Sequence, residues 1–407
     1  QYNASMLPAA APHLLTLALL LAPPPATRPA EEIPIDPEQE ARLLKEVGES
    51  FRLRRTPHFL VACDAETVLL NDFVSRIEST YRAVYDFCRV NRIEARRPDR
   101  RLEVILFNQR KAYDRYCARV GFRSAGTFGV YLVKANRSVF FNAATDPDLE
   151  RLDRVIASGQ NNVQNLERLV RGMNRETTRI EIQYADGRRR LFTRAEAERE
   201  LESTRQKLRM LDEQRVGLTE RINRTAIRHE IAHQVLYNAG VHAREAPNPK
   251  WLIEGMACLF EETPPDSTDS GIHAINQLRL RDLRNALMGD PDREQLTVAD
   301  FAEAIEAGRL PEFRALLCDL TLFDARGTTG GNVYAMSWAL ALYLQQNHTE
   351  RFVEYLKAIA RRPPGSQVTP EEEVALFEKH FGPLDRTFQN RWAHFILRLP
   401  YPSTGPS

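Results

Sequence analysis

The spacing of hydrophobic and polar positions changes three times along this chain, and each change marks a different kind of element. From Arg52 to Ala144 the pattern is mixed. Phe59-Leu60-Val61-Ala62-Cys63 and Leu102–Phe107 are short apolar runs of strand length. Between them, Val68–Val90 carries Phe73, Ile77, Tyr81, Val84, Tyr85 and Cys88 at helical spacing, which predicts a helix with one buried face. A second helix is expected through Tyr113 to Val120. Two short strands, Val130–Val133 and Ser138–Phe141, flank the turn Lys134-Ala135-Asn136-Arg137. Residues 51–145 therefore read as an α+β unit with a small mixed sheet.

Residues 146–226 follow another rule. Leu149, Leu152, Ile156, Gly159, Val163, Leu166, Val170 and Met173 advance by alternating three- and four-residue steps, a coiled-coil seam. A partner helix opens on the capping box Thr193-Arg194-Ala195-Glu196 and carries Leu201, Leu208, Leu211, Leu218 and Ile222. Ile180–Tyr184 and Arg190–Phe192 surround Ala185-Asp186-Gly187 as a small β-hairpin. The expectation is an inserted antiparallel helical hairpin with a β tip, acting as substrate gate, partner-binding arm or plain decoration. From 227 to 400 the chain is mostly helical, with helices over Ile275–Met288, Val298–Ala307, Tyr334–Gln346, Arg351–Arg361 and Glu371–Phe381 and a loop over Asp266–Ser270. Acidic, proline-spaced residues 31–50 read as a linker, and 401–407 as a disordered tail.

One helical stretch carries chemistry. His229-Glu230-Ile231-Ala232-His233 puts two histidines one turn apart on one face, so both imidazoles can reach one metal ion while Glu230 works on a water. Asn238 and Gly240 provide a stop for that helix. A catalytic zinc site needs a third protein ligand and an open position. Glu254 lies 21 residues after His233, within Pro249–Glu261, a second helix that would bury Leu252, Met256 and Leu259/Phe260 as it packs back on the first. The bland alternative is a surface helix that happens to carry two histidines, and this second block weighs against it. None of the five cysteines forms a C-x-x-C pair, and Cys258 reads as a small buried hydrophobe. His242 reads as an exposed loop histidine, while His273, His348, His380 and His394 lack ligand spacing.

H-E-x-x-H followed by W-L-x-E-G-x-A-x-x-x-E resembles the gluzincin metallopeptidases. The second block is similar to that of the zinc aminopeptidases. From about Thr56 to Leu356 the chain resembles the bacterial peptidase MA-like proteins, many of them known only as a domain of unknown function. The resemblance implies a zincin-like catalytic domain with one Zn2+ ion held by His229, His233 and Glu254, and Glu230 as general base. Glu261 matches the final acid of the block and would orient a ligand imidazole, the alternative being an ordinary solvated glutamate. Tyr334 matches a tyrosine that such enzymes carry near the start of a downstream helix, which makes it the candidate oxyanion donor. Its alternative is a half-buried core tyrosine. The resemblance also implies an edge strand that takes substrate backbone by strand addition, with Ser138–Asn142 and Gly126–Tyr131 both candidates. In this chemistry zinc brings the pKa of a bound water towards ~7 and polarises the scissile carbonyl. The G-x-M-E-N motif that anchors the substrate amine in the aminopeptidases is not present, which favours an endopeptidase. Cys258 stands where some gluzincins have an acid.

Composition narrows the partners. Hydrophobic residues are 43% and charged residues 27%, ordinary globular usage, and the formal net charge is +1. That balance makes no case for nucleic acid or an anionic membrane surface, so the expected partner is a peptide or protein substrate. The apolar run Leu14–Ala22 is too short to span a membrane and the right length for a signal-peptide core. Residues 1–30 are therefore expected to be a leader, with the mature chain exported to a periplasmic or extracellular space, or cytoplasmic should the leader not function. No later segment approaches a membrane span. The leading function is a zinc metallopeptidase. Two alternatives stay open: a catalytically inactive, zinc-stabilised scaffold binding a protein through the insertion, and a nonpeptide amide or ester hydrolase. Glu230 argues against the scaffold, because holding zinc does not need that carboxylate.

Overall fold

A computed structural model of the chain describes residues 33–173, 179–183, 187–262, 275–289, 295–324 and 327–401. The leader-like stretch, the turn residues Ala185 and Asp186, the loop 266–270, His273 and the tail beyond Tyr401 lie outside the described residues.

The first element among the described residues is a helix, α1 (Pro37–Val47), where the composition predicts linker. Asp36 caps it by accepting the N–H groups of Glu38 and Gln39, Pro37 occupies the first turn, and Leu43 is fully buried. There follow β1 (Arg52–Arg55), β2 (Phe59–Cys63), α2 (Thr67–Val90), β3 (Leu102–Phe107), α3 (Arg110–Arg119), β4 (Gly129–Leu132) and β5 (Arg137–Phe141). The five strands form one mixed sheet in the order β1-β2-β3-β5-β4. β2, β3 and β5 run parallel, and β1 and β4 close the two edges antiparallel. Both faces are covered. Phe59, Val61, Val104, Leu106 and Phe140 join the main core with α2, while Leu60, Ala62, Ile105, Val139 and Phe141 pack with α1 and α3. Burial on both faces is why β2 and β3 read as continuous apolar runs rather than alternating ones.

The insertion is a helical arm with a β tip, as its pattern predicts. α4 (Pro147–Gly172) leads through the antiparallel pair β6 (Ile180–Gln183) and β7 (Arg189–Phe192) into α5 (Arg194–Asn238). The capping box at Thr193 and Glu196 forms. The expected boundary between residues 226 and 227 does not exist, because α5 runs unbroken for 45 residues, ~67 Å at 1.5 Å per residue. The arm's second helix and the helix bearing the histidines are one element.

The remainder is helical: α6 (Lys250–Cys258), α7 (Gln277–Met288), α8 (Val298–Glu306), α9 (Phe313–Cys318), α10 (Gly327–Asn347), α11 (Thr349–Ala360), α12 (Pro370–Phe381) and α13 (Arg386–Leu397). α9 and α13 have no counterpart in the sequence reading. α10 starts at Gly327 rather than at Tyr334, so Gly330 and Gly331 lie inside its first turns. From Ala335 to Leu344 this helix is buried all round, and α6 and α7 pack against it. Gly255 makes the closest approach: a Cβ there would stand 2.4 Å from the carbonyl oxygen of Ser337. No helix among the described residues is long and apolar enough to cross a membrane.

That contact sets the position of the neighbouring Glu254. Gly255→Ala is expected to cost about 1–3 kcal/mol through backbone displacement. A lowered thermal midpoint would be the sign; an unchanged one would mean that α6 and α10 are free to separate.

Candidate functional site

α5 delivers three of the key side chains. Ile231, Ala232, Val235 and Leu236 are fully buried and hold one face of its last turns in the core. Gln234 fixes the rotation of the helix against the sheet. Its Nε2 donates to the Glu103 carbonyl at 3.0 Å, and its Oε1 accepts from the Ser138 hydroxyl at 2.9 Å. His229, Glu230 and His233 then face a cleft of about 840 Å³. α6 brings the fourth group, with Trp251, Leu252 and Met256 fully buried around it. Glu254 Oε2 lies 3.0 Å from His229 Nε2 and 3.3 Å from His233 Nε2, and the two Nε2 atoms are 3.1 Å apart. Tetrahedral donors ~2.0–2.2 Å from one ion stand ~3.3–3.6 Å from one another, so this triangle has the size of one such face, slightly contracted. Two imidazoles and a carboxylate also form a donor set that suits zinc.

A second cluster shares His229 through its other nitrogen. His229 Nδ1 donates to Glu261 Oε1 at 2.9 Å, and Cys258 Sγ lies 3.4 Å from that oxygen. Geometry alone would allow a cation among His229, Cys258 and Glu261. Charge argues against it: Arg279 already pairs with both Glu261 oxygens, at 2.6 and 2.9 Å, and Asn276 donates to one of them at 2.7 Å. Burial, reinforced by Glu261, pushes the Cys258 thiol up and keeps it protonated. The second cluster is therefore a support for the first. It fixes His229 with Nδ1–H towards Glu261 and Nε2 towards Glu254. Glu261 is 1% exposed, which rules out an ordinary solvated glutamate.

The electrostatics follow from burial and its compensation. Burial alone would raise the Glu254 carboxyl; Lys250, whose Nζ sits 2.6 Å from Oε1, and the two histidines outweigh it and hold the group well below the usual range. Burial likewise opposes ionisation of Glu261, and Arg279 and His229 overcome it. His229, although desolvated, is raised well above an ordinary histidine by contacts with Cys258, Glu254 and Glu261.

Glu230 and Tyr334 flank the triangle. Glu230 Oε2 accepts the backbone N–H of Tyr131, on β4, at 2.7 Å. Residue 129 has no room for a side chain: a Cβ there would lie 2.6 Å from the Phe140 ring and 3.3 Å from Glu230 Cγ. The Tyr334 ring centroid is 6.0 Å from that of His229, and the Arg279 guanidinium lies over the ring at 5.4 Å. The negative charge of Glu254, then burial, raises the Tyr334 phenol, so it stays a proton donor.

The structure brings together His229, His233, Glu254, Glu230, Tyr334 and Glu261, all six residues that the sequence singled out. It corrects two other expectations. β5 is paired on both sides, so Ser138–Asn142 cannot be the accepting edge, whereas β4 is an edge strand. His242 is not an exposed loop histidine but 2% exposed. Burial, then His233, lowers its pKa to about 3. Lys250, Asn276, Arg279 and the Tyr131 amide were missed. Arg279 is one of 56 basic residues and no spacing distinguishes it.

Unfolded Glu254 and Glu261 titrate near 4.5, and the folded values are lower. Their stabilisation is thus complete above that pH and is lost as pH falls through the folded values. Glu261→Gln removes one share and leaves buried Arg279 with only Asp282, 4.0 Å away, as counter-charge, at a cost of about 3–5 kcal/mol at neutral pH. Urea unfolding should show that loss together with a shallower acid-side decline; wild-type stability in the variant would mean Arg279 finds compensation elsewhere.

A family model described as "Protein of unknown function (DUF1570)" matches residues 223–366. No curated protein matches the chain, and no solved structure does. The matched segment contains all six of the site residues named above.

Proposed function

We propose that this chain is a zinc-dependent peptidase of the gluzincin kind, with one zinc ion held by His229, His233 and Glu254. The observation that carries the reading is the convergence of those three donor atoms beside a carboxylate, Glu230, that is not part of the triangle. Zinc, when bound, supplies Lewis-acid activation of water and of a carbonyl at neutral pH.

The side chains divide the remaining work. Glu230 takes the proton of the attacking water and hands it to the leaving nitrogen, a general-base and then general-acid role. The Tyr131 N–H holds its carboxylate in place meanwhile. Tyr334 donates its phenol proton to the developing oxyanion, and Arg279 packed on the ring limits its swing. Substrate backbone is received on β4. Along an antiparallel strand N–H and C=O groups alternate sides in pairs, so the outward N–H of Tyr131 places the groups of Gly129 and the Tyr131 carbonyl on the same side, towards the cleft. Zinc hydrolysis of nonpeptide amides or esters uses the same groups, but a free strand edge along the cleft favours an extended peptide.

Two measurements test this reading. Glu230→Gln should keep one zinc per chain, by elemental analysis, while kcat/KM on a peptide library falls by at least ~10²–10⁴. Equal activity in the variant would remove the proposed base. Tyr334→Phe should lower kcat by ~10²–10³ with little change in KM; a change in KM alone would make Tyr334 a binding residue.

A further inference from the structure

The two metal-site histidines are supported unequally. His229 has its Nδ1–H fixed by the Glu261 carboxylate at 2.9 Å. His233 has its Nδ1 buried with no partner among the described residues. His242, nine residues further on, is 2% exposed, with both Nδ1 and Nε2 buried and unpartnered among the described residues as well. Three orphaned ring nitrogens are costly, because a buried polar atom left unpaired gives up its hydration and gains nothing in return.

Position links the two rings. The chain leaves α5, and the His242 N–H donates back to the Leu236 carbonyl at 3.3 Å, which folds residue 242 under the helix that carries His233. The His242 ring packs against Tyr237 with centroids 5.3 Å apart, and Tyr237 lines the same cleft as His233. The groups that act on His242 are those of the metal site, His233 and Glu254. No residue of the sheet or of the arm donates to it or accepts from it among the described residues.

We infer that His242 is the positioning residue for His233, accepting the His233 Nδ1–H through one bridging water and so holding Nε2 towards Glu254. The inference rests on the metal-site reading and deepens it. A metal-binding imidazole almost always passes its second ring N–H to an acceptor that fixes its tautomer and orientation. A water between the two rings would satisfy the His233 nitrogen and one of the His242 nitrogens, which is the usual work of a buried water. A neutral acceptor here also differs in kind from the anionic Glu261 behind His229. The two ligands are then unequal in basicity, with His229 the stronger donor.

Zinc affinity, measured by competition with a chelating dye, tests this without reference to turnover. His242→Leu, an apolar side chain of similar volume, should weaken zinc binding ~10–100-fold. His242→Gln, which can still accept and donate, should stay within a few-fold of wild type. The visible bands of the cobalt-substituted protein should shift in the leucine variant and not in the glutamine one, since they report ligand orientation. The metal-free leucine variant should unfold close to the wild-type midpoint, because one unpaired His242 nitrogen is removed while the His233 nitrogen loses its acceptor; a merely structural histidine would instead lose stability along with affinity. A leucine variant with wild-type affinity and cobalt spectrum overturns the inference while leaving the metal site intact. A wild-type chain that takes up no zinc overturns the metal-site reading first and this inference with it.

Discussion

Glu254 is a carboxylate that is 4% exposed, and the charges around it account for the arrangement of three helices. A carboxylate taken out of water costs several kcal/mol unless its charge is met. Lys250, one turn earlier on α6, meets one oxygen, and the histidines of α5 meet the other. His229 then draws in Glu261, and Glu261 draws in Arg279 of α7. The result is a continuous row of paired groups, Lys250–Glu254–His229–Glu261–Arg279, whose two ends both line the cleft. Each member is tolerable where it sits because a neighbour balances its charge or takes its hydrogen bond. Removing any one exposes the next to the full cost of burial.

The apolar architecture serves this row by controlling approach. α10 lies at the centre of the main core, and the missing side chain at Gly255 lets α6 come down onto it. Tyr334 sits on the same α10, so the helix that anchors Glu254 from behind also presents the phenol in front. On the other side, Gly129 lets β4 lie close enough for a backbone amide to hold Glu230. Sheet and helical half thus each contribute one wall, and the histidine helix passes between them.

The sequence made the local elements and the site core legible because both rest on short-range spacing. The four-residue step from His229 to His233, and the apolar block around Glu254, specify a face and a carboxylate without knowledge of the fold. The coiled-coil steps of α4 and the capping box at Thr193 are equally local. What stayed hidden depends on distant contacts. α1 is acidic and looks unstructured until Leu43 finds the sheet. Arg279 becomes significant only when α7 packs against α6. His242 looks like a loop residue because its loop does; only the turn back to Leu236 buries it. The unbroken course of α5 escaped notice because a change of hydrophobic pattern resembles a domain boundary, whereas here it marks where one helix passes from solvent into the core.

That continuity has a practical side. Arg194, at the head of α5, and His229 are 35 residues apart on one rod, ~52 Å of rigid backbone. The arm is therefore no cassette that can be clipped out between two chosen residues. A cut that removes 146–226 also discards the helix's own start, capping box included, and leaves the histidine-bearing turns with frayed amides where backbone had run. Shortening the arm by whole turns from both strands of the hairpin, with Thr193 and Glu196 retained at the new head, keeps the imidazoles in phase.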